Sequence, residues 1–294
     1  MASFAPEVIF YIGRFPITNT VINTILVDGF LLLVAFLTRR NLAQVPDKFQ
    51  NFMEFIVGGL HDFAGSIAGS KIKVIFPFFI TFFIFILVAN LSGLIPGVGT
   101  IGFYETSITA SGQETHFVPL NRPLTSDINA TFALAIVSLV ATHAYAIKTL
   151  GLTDYLTKFF SFIPFLISVA KGKPKNTIDY KDPLSLFISL LTPLVLIFVG
   201  FLELLSELVK AISLSFRLFG NIYAGEVVIY TVNDIFAFIF PIPFLILELI
   251  VGVIQALVFA MLTMVFMIIL STSHHEESNV ADPEGSSTQR EVSH

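Results

Sequence analysis

The sequence predicts an all-α, polytopic membrane protein with three N-terminal transmembrane helices, amphipathic surface helices and a long, tilted C-terminal helical hairpin. Composition is the first reason: of 294 residues, 55% are hydrophobic and only 13% are charged, whereas a soluble domain carries roughly 25% charged residues. The second reason is that the apolar residues gather in runs close to the roughly 20 residues that a membrane-crossing helix requires. The chain contains no cysteine, which excludes disulfides and thiolate metal sites, and we expect neither a cofactor nor a metal.

Three spans are predicted in the N-terminal half of the chain, at residues 17–37, 74–95 and 128–147. Between the first two, apolar residues recur at steps of three and four over residues 49–67. This spacing indicates an amphipathic helix that lies on the membrane surface. We interpret residues 1–16 as a short polar lead and residues 97–126 as a polar loop.

The C-terminal half holds two longer apolar segments. Before them, the apolar stretch at residues 159–169 is too short to cross a bilayer and is interrupted by Pro164, so we expect a surface or re-entrant piece. Pro183 stands where proline is tolerated at a helix start, and the helical pattern continues to about residue 232. After a turn signal at Asn233, a second segment ends near residue 269. Both segments are longer than a perpendicular span requires, so we predict that they are tilted.

The basic residues of the connections predict an orientation. Five Lys or Arg follow the first span, one lies in the loop at 97–126, and six follow the third span. The positive-inside rule then places the first and third connections inside, the N-terminus outside and the C-terminus inside. We expect residues 1–270 to form a single integral membrane domain and the polar residues 271–294 to form a disordered tail.

Arg217 is the charge that this apolar sequence tolerates least easily. A charged side chain at mid-membrane costs about 2.5–3.5 kcal/mol on insertion scales, and arginine does not escape by losing its proton. Such a residue requires a partner or a function. The alternative is that Arg217 lies near a helix end and extends its guanidinium to the lipid headgroups. Apolar residues continue well beyond it on both sides, which favours the functional interpretation.

Helical spacing sorts the other ionisable residues of the hairpin. Steps of three, four and seven put several polar side chains on one face of the first long helix; they are Glu203, Glu207, Lys210, Arg217 and Asn221. Glu207 and Lys210 are also spaced to pair with each other, and this structural role is an equal alternative for those two. Two residues outside the hairpin remain open. We favour an interfacial position for Asp28 over a functional carboxylate. For His143 we favour a packed position, or one near the inner interface, over a proton relay.

Glu226 lies elsewhere on the same helix. It follows Arg217 by nine residues, which is about 900° of rotation and roughly 13 Å of rise. Glu226 is therefore on the opposite face and is not the direct partner of Arg217. On the next helix, Glu248 and Gln255 are seven residues apart. In an antiparallel hairpin, Gln255 approaches the level of Arg217 while Glu248 approaches that of Glu226.

The block around Arg217 closely resembles the core helix of subunit a of the F-type ATP synthase. It reads LSFRLFGNIYAGE over residues 214–226. Four further blocks match the same family in the same order, at residues 45–50, 90–96, 126–131 and 248–255. The resemblance covers most of the chain. It implies a stator subunit that is not an enzyme by itself.

The resemblance also implies roles for single residues. Arg217 matches the essential arginine of the family, which attracts a passing rotor carboxylate in its ionised form and blocks direct proton flow. Asn221, Glu226 and Gln255 match polar residues of an outer half-channel, and Glu203 matches a carboxylate on the inner side. Glu207 and Glu248 are further candidates for the proton pathway. This arrangement implies two offset half-channels that pass protons to and from the rotating c-ring and so couple proton flow to ATP synthesis.

Partners and location follow from the same resemblance. The implied partners are the c-ring subunits, the peripheral-stalk subunit b, the lipid bilayer and protons, with no nucleic acid. The implied location is the bacterial cytoplasmic (inner) membrane, with an organellar inner membrane as the alternative.

The chain departs from the family at two places: relatives often have His at one of the positions of Glu226 and Glu248, and some have Asp at the position of Gly93.

Two other functions are alternatives to this one. A secondary membrane transporter not linked to ATP synthase would show repeated halves with broken helices, and the sequence contains no internal repeat. An intramembrane hydrolase would show a Gly-Xaa-Ser-Xaa-Gly or His-Glu-Xaa-Xaa-His motif, and neither is present.

Overall fold

The computed structural model of the protein describes residues 6–40, 42–95, 101–109, 112–159, 183–235 and 241–272. These residues are mainly helical. Four helical segments among them are long and apolar enough to cross a membrane: Asn19–Arg40, Lys48–Leu94, Ile128–Leu150 and Pro241–Leu270. The predicted class of an all-α, polytopic membrane protein is confirmed.

Helices α1 to α3 follow the predicted pattern closely. They cover Asn19–Arg40, Lys48–Ala68 and Ile72–Leu94. The carboxylate of Asp47 caps α2 by accepting the backbone N–H of Gln50 at 2.7 Å, which satisfies one of the free donors at a helix start. A 3₁₀ turn at Gly69–Lys71 separates α2 from α3, and the two helices pack against each other. The helix predicted at 49–67 is α2, and its position on the membrane surface stays a prediction.

Two β-hairpins form where we predicted a polar lead and a polar loop, so those two interpretations were wrong. Strand β1 (Val8–Ile12) pairs with β2 (Phe15–Thr18), and β3 (Gly102–Thr109) pairs with β4 (Gly112–Pro119), both antiparallel. In the first hairpin, β-branched and aromatic residues favour strand structure. Gly13 supplies the positive φ of 65° that the tight turn needs.

Helix α4 covers Ile128–Leu150 and α5 covers Leu152–Phe159. Gly151 joins them with a φ of 82°, a value that glycine adopts without steric cost. The sequence did not indicate α5, because its eight residues are too few to show a clear period. The predicted surface or re-entrant piece at 159–169 lies almost wholly outside the described residues.

The C-terminal hairpin consists of α6 (Pro183–Ile235) and α7 (Pro241–Leu270). Helix α6 begins at the predicted proline. Its 53 residues correspond to about 80 Å of helix, while a bilayer core is about 30 Å thick. A helix of this length exceeds the thickness of a bilayer core, and the tilt of the hairpin stays a prediction.

The chain forms two compact units. The first contains residues 1–137 and 212–265, and the second contains residues 138–211 and 266–294. The described residues of the chain end at 272, so the predicted tail at 271–294 lies almost entirely outside them. The expectation of one integral membrane domain over residues 1–270 stays a prediction.

The core of the first unit positions the loop that precedes α4. Val27 of α1, Ala89 of α3 and Leu124 of this loop form one apolar cluster. Polar contacts cross the same region: Asn23 donates to Ser92 Oγ at 2.9 Å and to Asn121 Oδ1 at 2.7 Å. These contacts hold the loop against both helices.

Gly93 gives a local reason for one departure from the family pattern. A Cβ atom at Gly93 would collide with the ring of Pro123. Proline is a rigid side chain that does not swing aside. A larger residue such as Asp therefore does not fit at this position without moving the loop before α4.

Candidate functional site

Arg217 lies on the exposed face of α6. The opposite face is buried and is built from Leu214, Ser215, Leu218, Phe219 and Ile222. Arg217 itself is exposed, as is its neighbour Phe216. No hydrogen bond or ion pair joins Arg217 to another residue in the described part of the chain. Arg217 thus lies outside the buried face by which α6 packs in the described part of the chain.

A hydroxyl contact fixes the rotation of α6 next to Arg217. Ser215 and Thr131 of α4 are both fully buried, and their side-chain oxygens are 3.1 Å apart. Because these two hydroxyls meet in the core, the residue two positions later is turned toward the outside. This contact links the block at residues 126–131 to the block around Arg217.

Asn221 and Gln255 meet across the hairpin. Asn221 Nδ2 donates to Gln255 Oε1 at 2.8 Å. Gln255 is buried, and its Nε2 has no hydrogen-bond partner among the described residues. The contact puts Gln255 one helical turn from Arg217, at the level that an antiparallel hairpin requires.

Glu226 forms an ion pair that sequence reasoning missed. Arg122, the basic residue of the loop at 97–126, donates from Nε and Nη2 to Glu226 Oε2 at 3.2 and 3.1 Å. The side chains of Arg122 and Glu226 are 4% and 12% exposed. The guanidinium of Arg122 also lies 5.9 Å from the centre of the Tyr223 ring. The sequence carries no signal for this ion pair, because the burial of a loop residue such as Arg122 is not visible in the loop's own sequence.

Glu248 lies beside this ion pair on α7. It is only 6% exposed, and its carboxylate contacts Gly225 so closely that a Cβ there would collide with it. Gly225 directly precedes Glu226 along α6. The structure therefore brings Glu226 and Glu248 to the same level of the hairpin. We call Arg122, Glu226 and Glu248, together with Asn221 and Gln255, the first polar cluster.

A second polar cluster lies in the other compact unit and contains His143, Tyr155, Glu207 and Lys210. Lys210 Nζ donates to Glu207 Oε1 at 2.6 Å, so these two residues do pair, and a place for Glu207 in the proton pathway stays a prediction. His143 Nε2 lies 3.9 Å from Glu207 Oε2. The Tyr155 hydroxyl and His143 Nδ1 are 2.8 Å apart. His143 is thus part of a polar network, which the expectation of a packed residue did not include. A position near the inner interface and a role as a proton relay stay predictions.

A cavity of about 400 Å³ adjoins the second polar cluster. His143, Tyr155 and Glu207 line it among mainly apolar side chains of α4, α5 and α6. Burial raises the pKa of the Tyr155 hydroxyl, and the Glu207 carboxylate acts in the same direction. Tyr155 is therefore a neutral phenol that can donate or accept a hydrogen bond beside His143.

The predicted common face of α6 is uneven in burial. Glu207 is 7% exposed, Glu203 and Lys210 are half-buried, and Arg217 and Asn221 are exposed. Asp28 is exposed on α1, and the choice between an interfacial position and a functional carboxylate stays a prediction.

Among the described residues, no group of three His, Asp or Glu side chains is arranged to hold a metal ion.

Comparison with known proteins points to one family. A family model described as ATP synthase A chain matches residues 20–268. ATP synthase subunit a of Moorella thermoacetica is 30% identical over 267 residues, which cover 91% of this chain and 97% of that protein. ATP synthase subunit a 3 of Pelobacter propionicus is 32% identical over 249 residues, covering 85% of this chain and 86% of that protein. ATP synthase subunit a of Legionella pneumophila (strain Paris) is 28% identical over 266 residues, covering 90% of this chain and 91% of that protein.

The family model extends from α1 to α7. The matches agree with the resemblance carried by the sequence blocks, and they do not support the alternative of a transporter unrelated to ATP synthase. The chain belongs to the ATP synthase A chain family, the family of ATP synthase subunit a.

Proposed function

We propose that this chain supplies two offset half-channels, which carry protons to and from a carboxylate on a rotating ring of c subunits. Membership in the family makes the chain a membrane proton-translocating subunit of the ATP synthase. The observation that carries the proposal is Arg217, a permanent charge on the exposed face of an apolar helix. Polar groups precede it on α6 at Glu207 and follow it at Glu226.

Two separate routes are required for physical reasons. A continuous pore would let protons cross without doing work, and each proton that crosses 100 mV is worth about 2.3 kcal/mol. A fixed positive charge between two routes repels a migrating proton and attracts a ring carboxylate in its ionised form. Because Arg217 keeps its charge at every accessible pH, it performs both tasks. The ring carboxylate then carries the proton from one route to the other.

The first polar cluster is the candidate outer route. Glu226 and Glu248 supply two carboxyl groups at one level of the hairpin, and Asn221 with Gln255 extends the polar path toward Arg217. The second polar cluster is the candidate inner route, in which Glu207, His143 and the adjoining cavity offer proton-binding groups and space for water. Glu203, one turn before Glu207, extends this route along α6.

Contact with the ring is tested by cross-linking. The native chain contains no cysteine, so single cysteines report on one position each. We expect Phe216→Cys, on the exposed face of α6, to form a disulfide with a cysteine placed beside the ring carboxylate. The matched control Ile222→Cys is only 4% exposed and should not cross-link. Equal cross-linking at both positions, or at neither, would contradict the proposed ring-facing side.

The proposed orientation is N-terminus outside and C-terminus inside, in the cytoplasmic (inner) membrane of a bacterium, with subunit b of the peripheral stalk as a further partner. An impermeant maleimide should label Arg14→Cys, in the turn of the first hairpin, from the outer side. It should label Thr153→Cys, in α5, only after the inner side is exposed. Both residues are exposed, so access to the reagent depends on membrane sidedness. Labelling of Thr153→Cys from outside would reverse the proposed topology.

A further inference from the structure

We propose that Arg122 is a positioning residue of the outer route, which holds Glu226 as a carboxylate and thereby leaves Glu248 as the glutamate that takes up and releases the proton. This inference rests on the proposed function of the first polar cluster. It adds a residue from the loop before α4 to a site otherwise built from the hairpin. It also gives the two glutamates different tasks.

The geometry of the ion pair supports the first half of this proposal. Two nitrogens of Arg122 donate to one oxygen of Glu226 at 3.2 and 3.1 Å, and both side chains are nearly removed from solvent. Loss of one partner from a buried pair leaves an uncompensated charge, which is strongly unfavourable. Arginine does not give up its proton, so the stable state of the pair is an ionised Glu226.

Arg122 is delivered by a loop that cannot move freely. Its neighbour Asn121 accepts a hydrogen bond from Asn23 at 2.7 Å. Its other neighbour, Pro123, fills the space beside Gly93, and the carbonyl of Pro123 accepts the backbone N–H of Ser126 at 3.1 Å. Contacts on both sides of Arg122 therefore fix the direction from which its charge meets Glu226.

Glu248 has different surroundings. It is as buried as Arg122, but no hydrogen bond or ion pair joins it to another residue of the described ranges. A buried carboxyl group with no counter-charge favours its neutral form. The ionised Glu226 at the same level adds a further reason, because two neighbouring negative charges repel each other. Glu248 is thus the carboxyl group of this pair that carries an exchangeable proton.

The other ionisable groups near the pair are constant in the experiment below. Tyr223 lies under the guanidinium of Arg122. Tyr230 interacts electrostatically with both members of the pair, and Glu7 interacts with Tyr230. Variants that change only Arg122, Glu226 or Glu248 leave these three residues in place. Differences in proton transport between the variants then reflect the Arg122–Glu226 pair and Glu248.

The test compares five variants in the complete ATP synthase, reconstituted into vesicles. Proton transport is measured against the pH of the compartment that the outer route faces. The variants are R122K, R122Q, E226Q, R122Q/E226Q and E248Q. We expect R122Q to slow transport roughly tenfold, equivalent to about 1.4 kcal/mol, and to shift its pH profile, because Glu226 then competes with Glu248 for the proton. R122K keeps the charge and should retain the wild-type profile better than R122Q.

The double variant R122Q/E226Q tests whether Arg122 acts through Glu226. It removes both buried charges, so it should recover a large part of the rate that either single change loses, with a pH profile close to that of the wild type. E248Q should stay slow. A double variant no faster than E226Q alone would overturn the proposal, as would an R122Q variant with unaltered rate and profile. If R122Q does not assemble with its partner subunits, the comparison of E226Q with the double variant still gives the answer.

The same set separates this inference from the proposed outer route. If E248Q and E226Q both transport protons normally, the outer route lies elsewhere and the role of Arg122 fails with it. If both are slow and the double variant shows no recovery, the route stands and only the role of Arg122 is wrong. ATP hydrolysis and subunit content of each purified complex verify that the variants are assembled.

Discussion

Replacing Arg217 with alanine is expected to abolish ATP-driven proton pumping by the complete ATP synthase in reconstituted vesicles. Alanine offers no positive charge to attract a ring carboxylate in its ionised form, and it removes the barrier between the two proposed routes. Lysine should restore pumping poorly, because an ammonium is a compact, strongly hydrated charge and lacks the planar fork of a guanidinium. The measurement is the quenching of a pH-sensitive dye after ATP addition, with passive proton leak recorded in parallel.

Phe216→Ala is the matched control for this prediction. Phe216 lies on the same exposed face of α6 and is 54% exposed, so its truncation tests the loss of a large neighbouring side chain without loss of charge. It should leave pumping near the wild-type level. Normal coupled pumping by Arg217→Ala would refute the role assigned to this arginine.

The second large effect is expected at Glu226 and Glu248. Glutamine keeps the size and hydrogen-bonding capacity of glutamate, but it removes the negative charge at Glu226 and the exchangeable proton at Glu248. Each single change should slow pumping by roughly tenfold, or about 1.4 kcal/mol, without uncoupling it, because Arg217 still separates the routes. The two residues lie at one level of the hairpin and are therefore coupled, so the double change should cost little more than the worse single change.

The measurement is pumping rate against the pH of the outer side for both single variants and the double variant. Gln255→Glu is not a suitable control, because it adds a charge within the same cluster. Glu54→Gln serves better, since Glu54 lies on α2 and pairs with Gln50 at 2.7 Å, away from the hairpin. An unaltered rate and pH dependence after loss of both carboxylates would assign them a structural role.

The sequence by itself determined the helices and the polar residues along them. The bounds of α1, α3, α4 and α6 were predicted to within a few residues, because long apolar runs in a membrane are limited by bilayer thickness and ended by charge, glycine or proline. Spacing at 100° per residue separated Glu226 from the face of Arg217. An antiparallel hairpin with a short connection then put Glu248 at the level of Glu226. Each of these predictions concerns residues on one helix, or on two helices joined by a single turn.

Short elements escaped the sequence analysis for a related reason. The strands of the two β-hairpins and α5 have between four and eight residues each, so they contain too few repeats of a period to be distinguished from a polar loop. Their formation depends on turn glycines such as Gly13 and Gly151 and on the helices beside them. Hydropathy describes membrane spans well and says little about the segments between them.

Only the tertiary structure decided which charges meet. Arg122 and Glu226 are 104 positions apart, and His143 and Glu207 belong to different helices. Nothing in the local sequence states that the loop before α4 is buried, or that it faces α6, because burial of a loop residue depends on contacts made by distant segments. The position of this loop depends on the packing of Pro123 against Gly93 and on the hydrogen bond from Asn23 to Asn121. The sequence therefore indicates where charges are costly, while the packing of distant segments determines which charge compensates which.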